Sequence, residues 1–182
     1  MTTESSLKSP AATRALGRKL GAALRPGDFV ALTGELGAGK TLLVKAMAEG
    51  AGAEAASSPT FAIVNLYRGP VPLQHLDLYR VSTPGDLFAL GFDDLLAEPA
   101  ATVCEWADRA RGALPPDRLD ITLEHAGARA RTVSLRATGP RGERLLAACG
   151  TGAAHVRREH KRAEKERRKE EGEEKHRGHH DD

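Results

Sequence analysis

The stretch GELGAGKT, residues 34–41, constrains what this chain can fold into more than any other feature. It contains Gly34, Gly37 and Gly39, and only Thr33 separates it from the apolar run FVAL. Glycine is unfavourable inside regular structure because it loses more backbone freedom on folding than any other residue. Three glycines this close together therefore indicate that the backbone itself must approach a ligand.

The same stretch matches the pattern G-x-x-x-x-G-K-[ST] through Gly34, Gly39, Lys40 and Thr41. A loop that leads into a helix N-terminus offers several N–H donors and a favourable dipole to a polyphosphate. Lys40 adds a cation for the outer phosphates, and the Thr41 hydroxyl can bind Mg²⁺. An apolar strand before the loop and the helical run KTLLVKAMAEG after it give the pattern its expected context. We therefore predict a nucleotide-binding loop.

The apolar segments of residues 1–150 predict one layered α/β domain, with a central mixed β-sheet flanked by helices as in P-loop NTPases. A helix is expected to begin at Ser9-Pro10, because serine caps helices and proline fits their first turn. A second helix follows the loop, and GERLLAAC predicts a third. The expected strands are FVALTG, FAIVNLYR, LQHLDLYR, ATVCEW, PPDRLDITLEH and RARTVSLRAT.

Residues 151–182 differ in character, because from His155 onward they are almost entirely charged and have no apolar stripe. Such a segment cannot bury enough surface to offset the entropy of ordering it. We expect a flexible tail. Its basic groups could contact nucleic-acid phosphates, but its acidic groups nearly balance them, so a solvated tail is the simpler interpretation.

Composition excludes several classes of protein. Cys104 and Cys149 form no CxxC pair, which argues against a disulfide framework or a zinc cluster and fits a reducing cytoplasm. The first ten residues lack the apolar core of a signal peptide, and no apolar run approaches the ~18 residues that span a bilayer. We expect a cytoplasmic protein with no membrane partner and no DNA partner.

Two acidic residues close predicted strands, Asp77 in LQHLDLY and Glu105 in ATVCEW. A carboxylate at the end of a buried strand is costly unless a cation or donors lie nearby, so both are candidate metal ligands. Each could instead be a turn or surface residue. Thr60 in SSPT has a hydroxyl that could sense the γ-phosphate or orient water. We interpret His75 as a packed or hydrogen-bonded histidine, and Cys104 as an inert core thiol.

The motifs GELGAGKT, SSPTFAIVNLYR, HLDLYR and VCEWADR, in this order, resemble the TsaE (YjeE) family. These are small P-loop ATPases of bacterial tRNA threonylcarbamoyladenosine synthesis. The resemblance runs from about Thr13 to about Leu146. It implies that the ATP phosphates are held by Leu36, Gly37, Ala38, Gly39, Lys40 and Thr41. The predicted cofactor-binding loop also includes Gly34 and Glu35.

The resemblance also implies roles outside the loop. Thr41 and Glu105 would bind Mg²⁺, and Asp77 would support the metal or the attacking water. Thr60 would lie in a switch-like loop. Two further residues are candidates for the nucleotide site: Trp106, and Arg131, which could equally be an exposed strand arginine.

The implied reaction is ATP hydrolysis, weak for the isolated protein and important when it docks on the TsaB–TsaD heterodimer. TsaD transfers the threonylcarbamoyl group to adenosine 37 of tRNAs that read ANN codons. The resemblance therefore implies the cofactors ATP and Mg²⁺, a TsaB–TsaD partner and only indirect contact with tRNA.

Three other functions remain open. A small-molecule or nucleotide kinase also uses a P-loop, although the basic segment RARGALPPDR is thin for a phosphate lid. A regulatory GTPase would read guanine with an Asn-Lys-x-Asp segment, which this sequence lacks. A non-enzymatic binding module could act through the charged tail.

Overall fold

The computed structural model describes residues 2–55 and 63–150, and the statements below concern these residues. Its strands are β1 Thr2–Leu7, β2 Phe29–Gly34, β3 Glu54–Ala55, β4 Val64–Arg68, β5 Leu73–Asp77, β6 Ala101–Glu105, β7 Leu119–His125 and β8 Arg131–Ala137. Its helices are α1 Pro10–Ala23, α2 Lys40–Gly50, α3 Pro84–Leu90, α4 Phe92–Ala97 and α5 Pro140–Ala148, with a short 3-10 helix over Ala107–Ala110.

The described strands form one mixed sheet in the order β1-β8-β7-β2-β6-β5-β4-β3. The central strands β7, β2, β6 and β5 run parallel, whereas the outer pairs are antiparallel. This architecture confirms the predicted α/β class with a central mixed sheet. Because parallel strands end at the same edge, the loop after β2 lies beside the ends of β5 and β6.

Helices cover the sheet on both faces, and β2 shows why its sequence is continuously apolar. Val30 and Leu32 point into a core with α1, α2 and α5. Phe29 and Ala31 point into a second core with α3, α4 and the 3-10 helix. A parallel strand buried on both faces has no polar side, which explains the unbroken run FVAL.

The N-terminal helix begins as the sequence predicts. Ser9 is its N-cap, and the Ser9 hydroxyl accepts a 3.2 Å hydrogen bond from the Ala12 amide. Proline occupies the first turn, where its missing N–H is no loss.

Strand β1 is an element that the sequence analysis does not assign. It pairs antiparallel with β8, from Thr2 opposite Arg136 to Leu7 opposite Arg131. Only Thr3 and Leu7 are buried, so its hydrophobic alternation is weak. Backbone pairing with β8, more than the side chains of β1, therefore makes this segment a strand.

Residues 151–182 and Thr60 lie outside the described residues, so the domain boundary near residue 150 and the flexible tail stay predictions. Within the described ranges, every helix is too short or too polar to cross a bilayer.

Helix α1 packs closely on α2 through glycines, and this contact supports the helix that carries the loop. A Cβ atom on Gly17 would lie 2.5 Å from the Cβ of Ala46, and one on Gly21 would overlap the carbonyl oxygen of Met47. The two helices can therefore keep this spacing only with glycine at these positions.

We predict that Gly21→Ala lowers the free energy of unfolding by about 1–3 kcal/mol, because the added methyl group forces α1 away from α2. Gly112→Ala is the matched control, since a Cβ there would meet no atom within 4 Å. Urea unfolding monitored by circular dichroism measures both variants. Equal stabilities for the two would show that α1 and α2 can separate without cost.

Candidate functional site

The loop between β2 and α2 leads into a helix N-terminus, where backbone N–H groups lack partners within the helix. Gly39 is the N-cap of α2, with φ 102°, and it supplies no side-chain cap. The first helical hydrogen bond runs from the Leu43 amide to the Gly39 carbonyl, at 3.0 Å. The amides of the first turn therefore have no carbonyl partner within the helix and can bind an anion.

The glycines of the loop serve two different purposes. A Cβ on Gly34 would overlap the carbonyl oxygen of Leu123 on the neighbouring strand β7. Gly39 faces open space within 4 Å, but its positive φ is a backbone conformation that residues with a Cβ rarely adopt. The first glycine lets two strands approach, and the second shapes the open cradle.

Lys40 is held against the base of the loop. Its Nζ donates to the carbonyl oxygens of Gly34, at 2.6 Å, and Glu35, at 2.8 Å. The same Nζ lies 4.3 Å from the ring centroid of Trp106. Burial lowers the pKa of Lys40 below its ordinary value, although the negative charges of Glu105 and Asp77 oppose this shift. A cation is thus held where an anion bound to the loop would meet it.

The predicted carboxylates converge on the same place. Glu105 is paired in register with Leu32 of β2 on one side and with Asp77 of β5 on the other. The Thr41 hydroxyl donates to Glu105 Oε1 over 3.2 Å, and Glu105 is only 3% exposed. Asp77 is partly buried, and its Oδ1 accepts a 3.1 Å hydrogen bond from the Tyr79 amide.

A hollow of about 300 Å³ lies between the loop and the strand ends. Two of its residues, Leu42 and Tyr79, are not among the predicted site residues; Tyr79 is 51% exposed. The hollow is lined by Leu36, Gly37, Gly39, Lys40, Thr41, Leu42, Asp77, Tyr79, Glu105 and Trp106. The structure therefore brings most of the predicted site residues together around one cavity.

A larger hollow, of about 490 Å³, lies beside β2, β7 and β8 and shares no residue with the first. Two arginines, Arg111 and Arg136, line it together with Arg118, which is paired with Asp120 at 2.6 Å. Asp108 adds a further negative charge. Because these charges largely cancel and no residue of the loop over 35–39 lines this hollow, the smaller cavity is the better candidate.

Trp106 is placed by an unusual backbone conformation directly after β6. It has φ 56°, and it is the only described residue other than glycine with a positive φ. Its ring lies 5.0 Å from that of Tyr79, tilted by 55°. The turn from Glu105 into the 3-10 helix therefore puts an aromatic face beside Lys40 and on the wall of the hollow, and a contact with a nucleotide stays a prediction.

Arg131 touches the loop, but from the side of its carbonyl groups. Its Nε donates to the Ala38 carbonyl at 3.0 Å, and its Nη2 donates to the Gly37 carbonyl at 3.2 Å. Nη1 donates to the carbonyls of Gly127 and Ala130 in the turn before β8. The guanidinium thus ties the loop to the β7–β8 turn, and a direct contact with a cofactor stays a prediction.

His75 is a residue whose place in the site the sequence analysis underrates. It is buried, and its Nε2 lies 2.8 Å from Glu105 Oε1. The expected hydrogen-bonded histidine is confirmed, and its partner is the acidic residue at the centre of the site. The available signal was its position two residues before Asp77, which puts both side chains on one face of β5. Cys104 is fully buried, and burial raises the pKa of its thiol, as expected for an inert core cysteine.

We predict that Arg131→Lys loosens the loop in the free protein, because a single ammonium group cannot reproduce the planar fork that reaches both loop carbonyls. Loss of one charged hydrogen bond predicts about tenfold faster exchange of the Ala38 amide, which donates to the Glu35 carbonyl at 3.1 Å inside the loop. Arg136→Lys, on the same strand but far from the loop, is the control. Unchanged exchange of the Ala38 amide in Arg131→Lys would contradict this role.

Comparison with known proteins agrees with the motifs. The family model described as threonylcarbamoyl adenosine biosynthesis protein TsaE matches residues 7–133. The tRNA threonylcarbamoyladenosine biosynthesis protein TsaE of Bacillus subtilis (strain 168) is 37% identical over 139 residues, which cover 75% of this chain and 87% of that protein. The corresponding protein of Streptomyces coelicolor is 42% identical over 119 residues, covering 62% and 79%. The crystal structure of Bacillus subtilis YdiB superposes with a TM-score of 0.70 at 32% identity, covering 82% of this chain and 95% of that one. The chain therefore belongs to the TsaE family.

Proposed function

We propose that this protein binds ATP with Mg²⁺ in the hollow beside the loop and hydrolyses it. The observation that carries the proposal is the 3.2 Å contact between the Thr41 hydroxyl, at the start of α2, and the Glu105 carboxylate, at the end of β6. A hydroxyl and a carboxylate at these two positions are the protein ligands that Mg²⁺ takes in P-loop NTPases.

The oxygen donors of the site fit Mg²⁺. This ion prefers oxygen ligands and usually keeps several waters, binding through one or two carboxylates together with substrate phosphates. No group of three or more His, Cys, Asp or Glu side chains in residues 2–55 and 63–150 could hold a metal alone. A site completed by ATP phosphates needs no such group.

Each residue of the site has a definite task in this proposal. The first-turn amides of α2 and the loop amides bind the β- and γ-phosphates, and Lys40 offsets the charge of the outer phosphates. Thr41 and Glu105 hold Mg²⁺, which when bound neutralises the charge that develops on the leaving phosphate oxygens. Asp77 supports the ion or orients the attacking water from the end of β5. Thr60, in SSPT, would respond to the γ-phosphate.

We further propose that the hydrolysis serves tRNA threonylcarbamoyladenosine synthesis. Support comes from the family of the chain and from the names of its relatives in Bacillus subtilis and Streptomyces coelicolor. In this proposal the protein acts in the cytoplasm and docks on a TsaB–TsaD heterodimer, touching tRNA only through that complex. Its ATPase activity is low alone and rises with the partner pair.

The described residues give little support to the kinase alternative. Its basic segment would have to supply arginines that reach over the phosphates. Arg118 is instead bound to Asp120, at 2.6 Å, and to the Pro115 carbonyl, at 2.8 Å. Phosphoryl transfer to a small metabolite faster than to water would favour the kinase over the ATPase.

We predict that Lys40→Ala lowers ATP turnover by about 100-fold or more, because the outer phosphates lose their charge partner. Lys45→Ala, which removes an exposed lysine from the same helix, should retain the activity of the unchanged protein. Phosphate release is measured for each variant with and without the TsaB–TsaD pair. Full turnover in Lys40→Ala would place the nucleotide elsewhere, and no stimulation by the pair would argue against the proposed partner.

We also predict that ATP binding takes up protons at alkaline pH. Burial lowers the pKa of Lys40 in the free protein, and bound phosphates would raise it. Affinity should therefore be highest below the free-protein pKa and fall as the pH rises through it. Titration calorimetry over the alkaline range below the ordinary lysine pKa of about 10.4, in buffers of different ionisation enthalpy, measures the uptake. Lys40→Ala should abolish the uptake, and proton release by the unchanged protein would contradict the assignment.

A further inference from the structure

His75 and Glu105 form a buried pair behind the proposed metal site. The His75 and Glu105 side chains are 8% and 4% exposed, and 2.8 Å separates Nε2 from Oε1. The two residues lie on neighbouring parallel strands, with His75 opposite Val103 in register and Asp77 opposite Glu105. The imidazole therefore reaches diagonally, two register positions further along the sheet, to meet the carboxylate.

The donors and acceptors available to the two side chains decide which atom donates in this contact. A carboxylate oxygen accepts, so Nε2 of His75 must donate. The Nδ1 atom is buried and has no hydrogen-bond partner. One proton on Nε2 satisfies the contact with Glu105, whereas a proton on Nδ1 would be a buried donor without an acceptor. The ring thus presents its donor to Glu105 in a fixed orientation.

The His75 side chain is only 8% exposed and is not among the residues that line the hollow. It lies behind Glu105, and its effect on a bound nucleotide would act through that carboxylate. The Thr41 hydroxyl meets the same carboxylate from the loop side, at 3.2 Å from Oε1 and 3.5 Å from Oε2. Ion binding would draw on the Thr41 oxygen, and the contact from β5 would then hold the carboxylate in place.

We propose that His75 is the positioning residue of Glu105, and that its Nε2–H fixes the carboxylate orientation needed to bind the divalent ion of the nucleotide complex. The inference rests on the proposed function, since it concerns the ion that accompanies ATP. Partners behind a metal ligand set its orientation, and their loss commonly costs about 10–100-fold in metal affinity.

The test compares three variants of the full chain. His75→Leu removes the donor and fills the buried site with an apolar side chain. His75→Gln keeps an N–H donor at about the reach of Nε2. His75→Asn places its amide at the position of Nδ1, too short to reach Glu105.

Titration calorimetry with ADP, in Mg²⁺ and then in excess EDTA, gives the factor by which Mg²⁺ strengthens binding. We expect this factor to fall about tenfold or more in His75→Leu and His75→Asn, and to be largely restored in His75→Gln. Affinity in EDTA should change less than twofold, because the amides and Lys40 bind the phosphates without the ion. Restoration by Gln but not by Asn would separate a positioning role from a packing role, because both substitutions would disturb the packing alike.

Full Mg²⁺ enhancement in His75→Leu, or an equal loss in the Gln and Asn variants, would overturn the inference. Where His75→Leu fails to fold, judged by the near-ultraviolet circular dichroism of Trp106, the comparison of Gln with Asn decides alone. A failure of the proposed function is distinguishable, because the unchanged protein would then show no Mg²⁺-dependent nucleotide binding at all.

Discussion

The site depends on the register of three parallel strands. Leu32 of β2, Glu105 of β6 and Asp77 of β5 lie in one row across the sheet, and β2 continues for two residues beyond that row before the loop begins. Side chains alternate between faces along a strand, so a slip of one residue in β6 would turn Glu105 away from Thr41 and into the opposite core. The buried apolar residues before Glu105 prevent that slip, since they would exchange faces too. Packing of the core thereby fixes the distance between the hydroxyl and the carboxylate.

The charged groups of the free site already have partners, which changes how ligand binding should be understood. Glu105 accepts from His75 and Thr41, and Lys40 donates to two loop carbonyls beside the ring of Trp106. Buried charges without partners would cost several kcal/mol each. A phosphate and a divalent ion would therefore replace existing contacts, so affinity depends on the difference between two satisfied states. Such a site can be preorganised without becoming unstable when it is empty.

Sequence reasoning succeeds here where local chemistry decides the structure and is incomplete where distant partners decide it. The loop pattern, the doubly covered strand β2 and the carboxylates that close β5 and β6 could all be predicted, because each shows in a few consecutive residues. Strand β1 could not, since its pairing with β8 is decided by backbone groups more than 120 residues away. The sequence around Arg131 indicates only a strand arginine, because its partner Ala38 lies 93 positions earlier and is brought close by the fold. The positive φ of Trp106 could not be predicted either, because glycine is the usual sequence signal for that conformation and this position is tryptophan.

Two cations hold the carbonyl groups of the loop. Lys40, which lines the hollow, takes those of Gly34 and Glu35, whereas Arg131, which does not line it, takes those of Gly37 and Ala38. In a trans peptide the N–H points away from the C=O of the same unit. The Gly39 amide therefore points away from Arg131, whereas the Ala38 amide donates to the Glu35 carbonyl in a tight turn. The shape of this backbone thus depends on a side chain that holds its carbonyls from outside the hollow, and replacing the fork of Arg131 would disturb the loop without removing any residue that lines the hollow.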